Sequence, residues 1–150
     1  MKKTKTTHTR NKMNPKERNY NALGMSPRPV KEHQRIIKKF INGIDSLKTF
    51  DEKRFESLSE TELGEPNSIA PDVVVFNLRS EKPHFLIEIE RTQGIKKTIV
   101  KTQKALKDFP TIKEAFIYDY EKKIFYKVEK TSYKKSAQSD FLKTDLKKMI

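Results

Sequence analysis

Hydrophobic residues along the chain are spaced in two different ways. Over positions 30–44 they recur every three or four residues, which is the spacing of an amphipathic helix. The same spacing covers 92–109, and Pro110 ends that stretch because proline has no amide hydrogen and clashes with the preceding turn. The pattern therefore predicts two helices, each with one apolar face.

Two further segments are rich in β-branched and aromatic residues. They read "DVVVFNL" (72–78) and "HFLIEIE" (84–90), with a polar turn between them that carries Ser80 and Pro83. Such runs, bounded by turn residues, predict an antiparallel hairpin.

The rest of the chain predicts a sheet with helices around it. Two paired strands are expected from "EAFIYDY" and "KIFYKVE", and a strand with weaker alternation precedes the central hairpin. The order α-β-β-β-α-β-β-α predicts an α/β (α+β) domain with a mixed central sheet flanked by helices. The remaining predicted segments are a strand at 49–59, a loop at 60–70, strands at 114–120 and 123–129, and a short helix at 139–150 capped by Ser139 or Asp140.

Positive charge is concentrated at the beginning of the chain. Residues 1–40 hold 12 of the 33 Lys and Arg but only two of the 20 acids, within a formal net charge of +13. Because 1–28 has no helix or strand period, it is predicted to be a flexible basic arm before a single domain at 29–150. The arm is either a solvated tail or a binder of phosphate backbones. Candidate nucleic-acid contacts are Lys2, Lys3, Lys5, Arg10 and Lys12 in the arm, with Lys97 and Lys104 on the second helix.

Composition excludes several classes of protein. The chain has no cysteine, so it has neither disulfides nor thiolate metal sites. No apolar run approaches the roughly 20 residues that span a bilayer. A cytoplasmic protein without membrane contact is expected.

Three acids, Asp72, Glu88 and Glu90, lie at the outer ends of the central hairpin. If the hairpin is centred near residue 81, Asp72 lies opposite Glu90 and Val74 opposite Glu88, so all three acids share one face. They are either ordinary solvent-facing acids or ligands of a hard cation, Mg²⁺ or Mn²⁺, which could activate a water against phosphorus. The opposite, core-forming face takes Val73, Val75, Phe85, Ile87 and Ile89.

The combination of "PDVVVF" and "FLIEIE" resembles the PD-(D/E)xK nuclease superfamily, and within it the Uma2 family. "MSPRPVKEHQRI" is similar to the N-terminal segment of Uma2 proteins, and "EAFIYDYEKKIFYKV" to their closing strand pair. The resemblance covers roughly residues 25–129. It implies a restriction-endonuclease-like fold.

The resemblance also implies roles for individual residues. Asp72 and Glu88 match the metal-binding acids, whereas Glu90 stands where the superfamily has its catalytic lysine. Glu90 would then add a ligand or position water, and Lys101 of the following helix is the favoured substitute cation. Glu32, near the start of the first helix, is either a third metal ligand or a partner of the helix dipole. Its neighbour His33 falls near the apolar stripe and is expected to be packed.

The function implied is Mg²⁺- or Mn²⁺-dependent hydrolysis of nucleic-acid phosphodiester bonds, with DNA as the expected substrate. Many nucleases of this fold act as dimers, so a homodimer is one assembly to consider. Glu90 favours an alternative, a catalytically inactive nuclease-fold protein that binds DNA or RNA. A third interpretation is a structural protein that coats RNA through its basic tail.

Overall fold

The computed structural model describes residues 30–64 and 68–150, of which Lys31–Ile150 group into one compact unit. The predicted arm at 1–28, with its candidate contacts Lys2, Lys3, Lys5, Arg10 and Lys12, lies outside the described residues. None of the helices in the described ranges has the length and apolar character needed to cross a bilayer. The elements in chain order are helix α1 (Val30–Asp45), strands β1 (Phe55–Ser59), β2 (Val73–Asn77) and β3 (Pro83–Glu90), a 3₁₀ turn (Thr92–Gly94), helix α2 (Ile95–Asp108), strands β4 (Glu114–Asp119), β5 (Ile124–Val128), β6 (Tyr133–Lys135), β7 (Gln138–Ser139) and β8 (Thr144–Asp145), and a closing 3₁₀ turn (Leu146–Met149).

Strands β1 to β6 form one six-stranded sheet in sequential order. All neighbouring pairs are antiparallel except β3 and β4, which run parallel. A parallel pair needs a long crossover, and α2 supplies it between β3 and β4. The predicted mixed sheet with flanking helices is therefore confirmed.

Each face of the sheet carries its own apolar core. Helix α1 packs through Ile37, Phe40 and Ile44 on the face that takes the odd-numbered residues of β2 and β3. Helix α2 packs on the face that takes Val74 and Leu86. Because both faces are covered, the central strands are apolar on both sides, which explains the continuous runs in their sequences.

The central hairpin forms as predicted, but the predicted register was wrong by two residues. Val73 pairs with Ile87 and Val75 with Phe85, which places Asp72 opposite Glu88 and not opposite Glu90. A bulge next to the Val75–Phe85 pair brings Phe76 opposite Pro83, so β3 carries one extra residue, His84, on its side of the hairpin. A shift of two residues keeps the strand side chains on their predicted faces, so Glu88 and Glu90 still point to the α2 side. Asp72 lies directly before β2, and its carboxylate reaches His33 of α1.

The C-terminal helix predicted over 139–150 is replaced by the β7–β8 hairpin and the closing 3₁₀ turn. The side chain of Ser139 donates to Glu114 Oε2 at 2.6 Å, and the Asp140 amide donates to Glu114 Oε1 at 2.7 Å. These bonds to a distant strand use the two residues that were expected to cap the helix. Leu142 and Leu146 are buried in the α1-side core, which fixes the hairpin against the sheet.

Candidate functional site

The acids of the central hairpin meet at one end of the sheet. Asp72 lies directly before β2, while Glu88 and Glu90 lie at the C-terminal end of β3. Because β2 and β3 are antiparallel, the beginning of one strand is beside the end of the other. Asp72 and Glu88 are 7% and 4% exposed, so they are not the ordinary solvent-facing acids that the sequence left open.

The carboxylate of Asp72 is held between the sheet and α1. Its Oδ2 accepts a hydrogen bond from the Ile89 amide at 2.7 Å, and its Oδ1 lies 3.1 Å from His33 Nε2. His33 is 4% exposed, which confirms the expectation that it is packed. The same side chain also reaches the principal candidate acid, a contact that the sequence did not predict.

Glu88 is a buried carboxyl with one cationic partner. Its Oε1 lies 3.0 Å from Lys101 Nζ, and its Oε2 lies 3.4 Å from the Asp72 amide nitrogen. Burial and then the negative charge of Asp72 raise the pKa of Glu88 from 4.5 to about 7, although Lys101 opposes both effects. A bound cation would favour the charged form and displace this proton.

Lys101, the residue favoured as the substitute cation, lies on α2. Its side chain is 45% exposed, so the ammonium group contacts Glu88 and remains open to solvent. Lys97 and Lys104 lie on the exposed side of the same helix, and Lys104 forms an ion pair with Asp108. Among the three lysines, Lys101 is therefore the one that the structure brings to the acids.

Glu90 is directed toward the beginning of α2. Its Oε2 accepts a hydrogen bond from Thr98 Oγ1 at 3.0 Å, and its Oε1 accepts one from the Arg91 amide at 2.9 Å. A Cβ atom on Gly94 would lie 2.5 Å from Glu90 Cδ, so only glycine leaves room for this carboxylate. A negative group at a helix N-terminus is favourable, which gives Glu90 a structural role.

A group of potential metal ligands includes two residues that the sequence did not assign to metal. Ligand atoms of His33, Glu60 and Asp72 lie within 4.8 Å of one another. Glu32 is exposed in the first turn of α1 and is not one of these three residues. The apolar stripe of α1 marked His33 as inward-facing, but no local pattern marked Glu60.

The side chains at this end of the sheet fit a divalent cation. Within the described residues, His33 Nε2 and Glu88 Oε1 are buried atoms without an aligned hydrogen bond, although each is near a charged partner. Buried polar atoms without hydrogen bonds are costly, and metal coordination is one way to satisfy them. Carboxylate oxygens suit Mg²⁺ and Mn²⁺.

Comparison with protein-family models and with curated proteins gives no match. Among solved structures, the chain is similar to a proposed nuclease belonging to DUF820, a Uma2-like family, from Anabaena variabilis ATCC 29413. The TM-score is 0.53 at 15% sequence identity, over 77% of this chain and 73% of the other. At this identity the similarity concerns the fold, and it confirms the restriction-endonuclease-like architecture expected from the sequence.

Proposed function

We propose that this protein is a divalent-metal-dependent nuclease that hydrolyses phosphodiester bonds of nucleic acids, with DNA as its principal substrate. The observation that carries the proposal is the buried pair of Asp72 and Glu88 on adjacent strands, with Lys101 Nζ 3.0 Å from Glu88 Oε1. The shared fold with a proposed nuclease supports it.

Asp72 and Glu88 are the residues that would hold Mg²⁺ or Mn²⁺. When bound, such an ion polarises a phosphate oxygen and lowers the pKa of a water that can attack phosphorus. The two carboxylates contribute most when both are ionised. Because the pKa of Glu88 is raised to about 7, this carboxyl is only partly ionised in the metal-free protein at neutral pH, and a bound cation would complete its ionisation.

Lys101 supplies the positive charge that the superfamily pattern places on β3. Glu90 occupies that strand position and is bound to Thr98 of α2, so the cation near Glu88 comes from the helix. An ammonium group that contacts a metal-binding acid and is open to solvent can stabilise negative charge on a phosphate. Lys101 would therefore act on the scissile phosphate.

Exposed lysines would hold the nucleic-acid backbone. Lys97 and Lys104 lie on the solvent side of α2, next to Lys101 along the helix. Phosphate contacts position a nucleic acid without reading its sequence, and they release counterions. With a formal net charge of +13, weak sequence preference and steep salt dependence are expected.

The test is cleavage of labelled single- and double-stranded DNA and RNA at low salt, with Mg²⁺, Mn²⁺ or EDTA. We expect metal-dependent cutting that Asp72→Asn abolishes and Lys101→Ala lowers by about 10²- to 10³-fold in kcat, the usual effect of removing one stabilising charge or donor. Lys107→Ala removes an exposed lysine of the same helix and is the matched control. Cutting that Asp72→Asn retains would contradict the proposal.

A second candidate function is binding without hydrolysis. It is favoured by Glu90, because the strand position of the catalytic lysine carries an acid that is bound to Thr98. Such a protein would bind nucleic acid equally well with EDTA present and would cut in none of the metals. The same assay, run beside a binding measurement, separates the two functions.

A further inference from the structure

Three ligand-type side chains from separate elements converge beside the proposed metal-binding pair. His33 belongs to α1, Glu60 follows β1 and Asp72 precedes β2, and their ligand atoms lie within 4.8 Å of one another. Ligands of one octahedral ion at about 2.1 Å are separated by about 3 Å when adjacent and about 4.2 Å when opposite. His33 Nε2 and Asp72 Oδ1, which are 3.1 Å apart, already have the separation of adjacent ligands. Side-chain rotations that move the ligand atoms by at most about 2 Å would bring all three onto one ion.

Hydrogen bonds hold the two acids in this arrangement. The Glu60 amide donates to the backbone oxygen of Asp72 at 3.2 Å, so the two chain segments are adjacent. Gln34 Nε2 donates to Glu60 Oε1 at 3.1 Å and orients that carboxylate from α1. Asp72 Oδ2 is bound by the Ile89 amide, which leaves Oδ1 on the side of His33. Outer contacts of this kind orient the ligands of metal sites.

The position of the His33 ring points independently to a ligand. Its Nε2 atom is buried, has no aligned hydrogen bond within the described residues and lies 3.1 Å from Asp72 Oδ1. An unsatisfied buried nitrogen is unfavourable, whereas neutral imidazole is a strong metal ligand through the same atom. Coordination would thus satisfy an atom that packing alone leaves without a hydrogen bond.

A nitrogen ligand changes which ion the site prefers. Mg²⁺ binds oxygen ligands and keeps much of its water, while imidazole raises affinity for first-row transition ions. We propose that His33 and Glu60 join Asp72 as ligands of the ion, and that His33 makes the site select Mn²⁺ over Mg²⁺. This inference rests on the metal site of the proposed function, but it concerns binding and does not require hydrolysis.

The experiment measures metal binding by the full chain in the absence of nucleic acid. Free Mn²⁺ is followed by its electron paramagnetic resonance signal, and Mg²⁺ affinity is obtained by competition. We expect the unaltered protein to bind Mn²⁺ at least about tenfold more tightly than Mg²⁺, and His33→Gln to weaken Mn²⁺ binding by about 10- to 100-fold, the usual range for disturbed metal sites. Mg²⁺ binding by His33→Gln should change less than about twofold, because glutamine keeps an oxygen donor there.

Matched variants and a measurement on the unaltered protein complete the design. Glu60→Gln should weaken both ions, and His84→Gln should weaken neither, because His84 lies between the rings of Phe55 and Phe141. If His33→Gln does not fold, Mn²⁺ can be added to the unaltered protein while histidine ring nitrogens are observed by nuclear magnetic resonance. Selective broadening of the His33 signal over that of His84 would support direct coordination.

The outcomes separate this inference from the proposed function. Mn²⁺ preference that persists in His33→Gln, or a His33 signal that does not broaden, would overturn the inference while leaving Asp72-dependent cleavage intact. His33-dependent Mn²⁺ binding in a protein that cuts no nucleic acid would support the inference and contradict the nuclease. Equal affinity for both ions in the unaltered protein would overturn the inference alone.

Discussion

Replacing Glu88 with glutamine is expected to stabilise the metal-free protein at alkaline pH. Burial raises the pKa of Glu88 to about 7, the charge of Asp72 adds to the rise, and Lys101 offsets part of it. The ionised carboxylate is therefore less stable in the folded protein than in the unfolded chain. Glutamine has nearly the same shape and no charge to bury, so the variant removes this unfavourable contribution.

The sign and size follow from proton linkage. Below pH 4.5 Glu88 is protonated in both states and contributes no penalty; between 4.5 and about 7 the folded state binds more protons, so stability falls as pH rises. Above that window the whole penalty is present. A rise from 4.5 to about 7 corresponds to about 3 kcal/mol of unfolding free energy, at roughly 1.4 kcal/mol for each tenfold change in proton affinity.

The assay is urea unfolding in EDTA at about pH 5 and about pH 8, where linkage predicts that the advantage of Glu88→Gln grows by about 2 to 3 kcal/mol. Glu56→Gln is the control, because it removes an exposed acid from the outer strand β1. An equal advantage at both pH values would refute the reasoning, since the pKa of Glu88 would then be the same in the folded and unfolded states. Added Mn²⁺ should stabilise the unaltered protein more than the variant, because the metal uses the charged form.

Two further predictions concern stability. Gly94→Ala places a Cβ 2.5 Å from Glu90 Cδ and should destabilise the fold by about 1 to 2 kcal/mol, because Glu90 then loses its hydrogen bond to Thr98. The effect should disappear when Glu90 is already alanine, which thermal unfolding of the four proteins of a double-mutant cycle measures. Equal destabilisation in both backgrounds would contradict this explanation. Glu114→Ala removes the carboxylate that pairs with Lys127 at 3.1 Å and accepts the hydrogen bonds of Ser139 and Asp140. Lys127 keeps Asp140 at 3.4 Å, so we expect a loss of about 2 to 3 kcal/mol, from the hydrogen bonds to this charged group, with earlier proteolysis of the C-terminal hairpin. A loss below about 1 kcal/mol would count against this role of Glu114.

The helices and the central strands could be predicted because local periodicity determines them. The stripe of α1 that includes Ile37, Phe40 and Ile44 has to face the sheet, and the apolar runs of β2 and β3 have to be covered on both sides. The faces of Glu88 and Glu90 followed from alternation alone. The register did not, because the turn is closed by Asn77 and Lys82 and is therefore centred before residue 81, and a polar segment of this length does not fix its own centre.

The C-terminal segment shows where local rules lose to distant contacts. Ser139 and Asp140 have the chemistry of helix caps, and the following residues have an acceptable helical period. Their hydrogen bonds go to Glu114 on β4, which lies 25 residues before Ser139 in the chain. Buried bonds to a carboxylate outweigh the weak preference of a short isolated helix. The sequence could not reveal this choice because the partner belongs to another element.

The candidate site was predictable where residues belong to the hairpin and not where separate elements meet. The apolar stripe of α1 indicated that His33 faces inward and its neighbour Glu32 does not, since adjacent residues on a helix point about 100° apart. The contact of His33 with Asp72 depends on how α1 packs against the sheet, through residues such as Phe40, and local periodicity does not determine that packing. Glu60 reaches the same point only because β1 pairs with β2, a long-range contact.

In the proposed nuclease, the environment of position 90 favours a catalytic cation that comes from a helix rather than from β3. Glu90 accepts hydrogen bonds from Arg91 and Thr98 at the beginning of α2, where a lysine would instead place positive charge against the positive end of the helix dipole. A lysine at position 90 would therefore be less favourable than the acid that is there. Lys101 lies further along α2, away from the helix terminus, and reaches Glu88 without this conflict. Under the proposed function, the positive charge beside Glu88 thus comes from α2, and the acid of β3 stabilises the beginning of that helix.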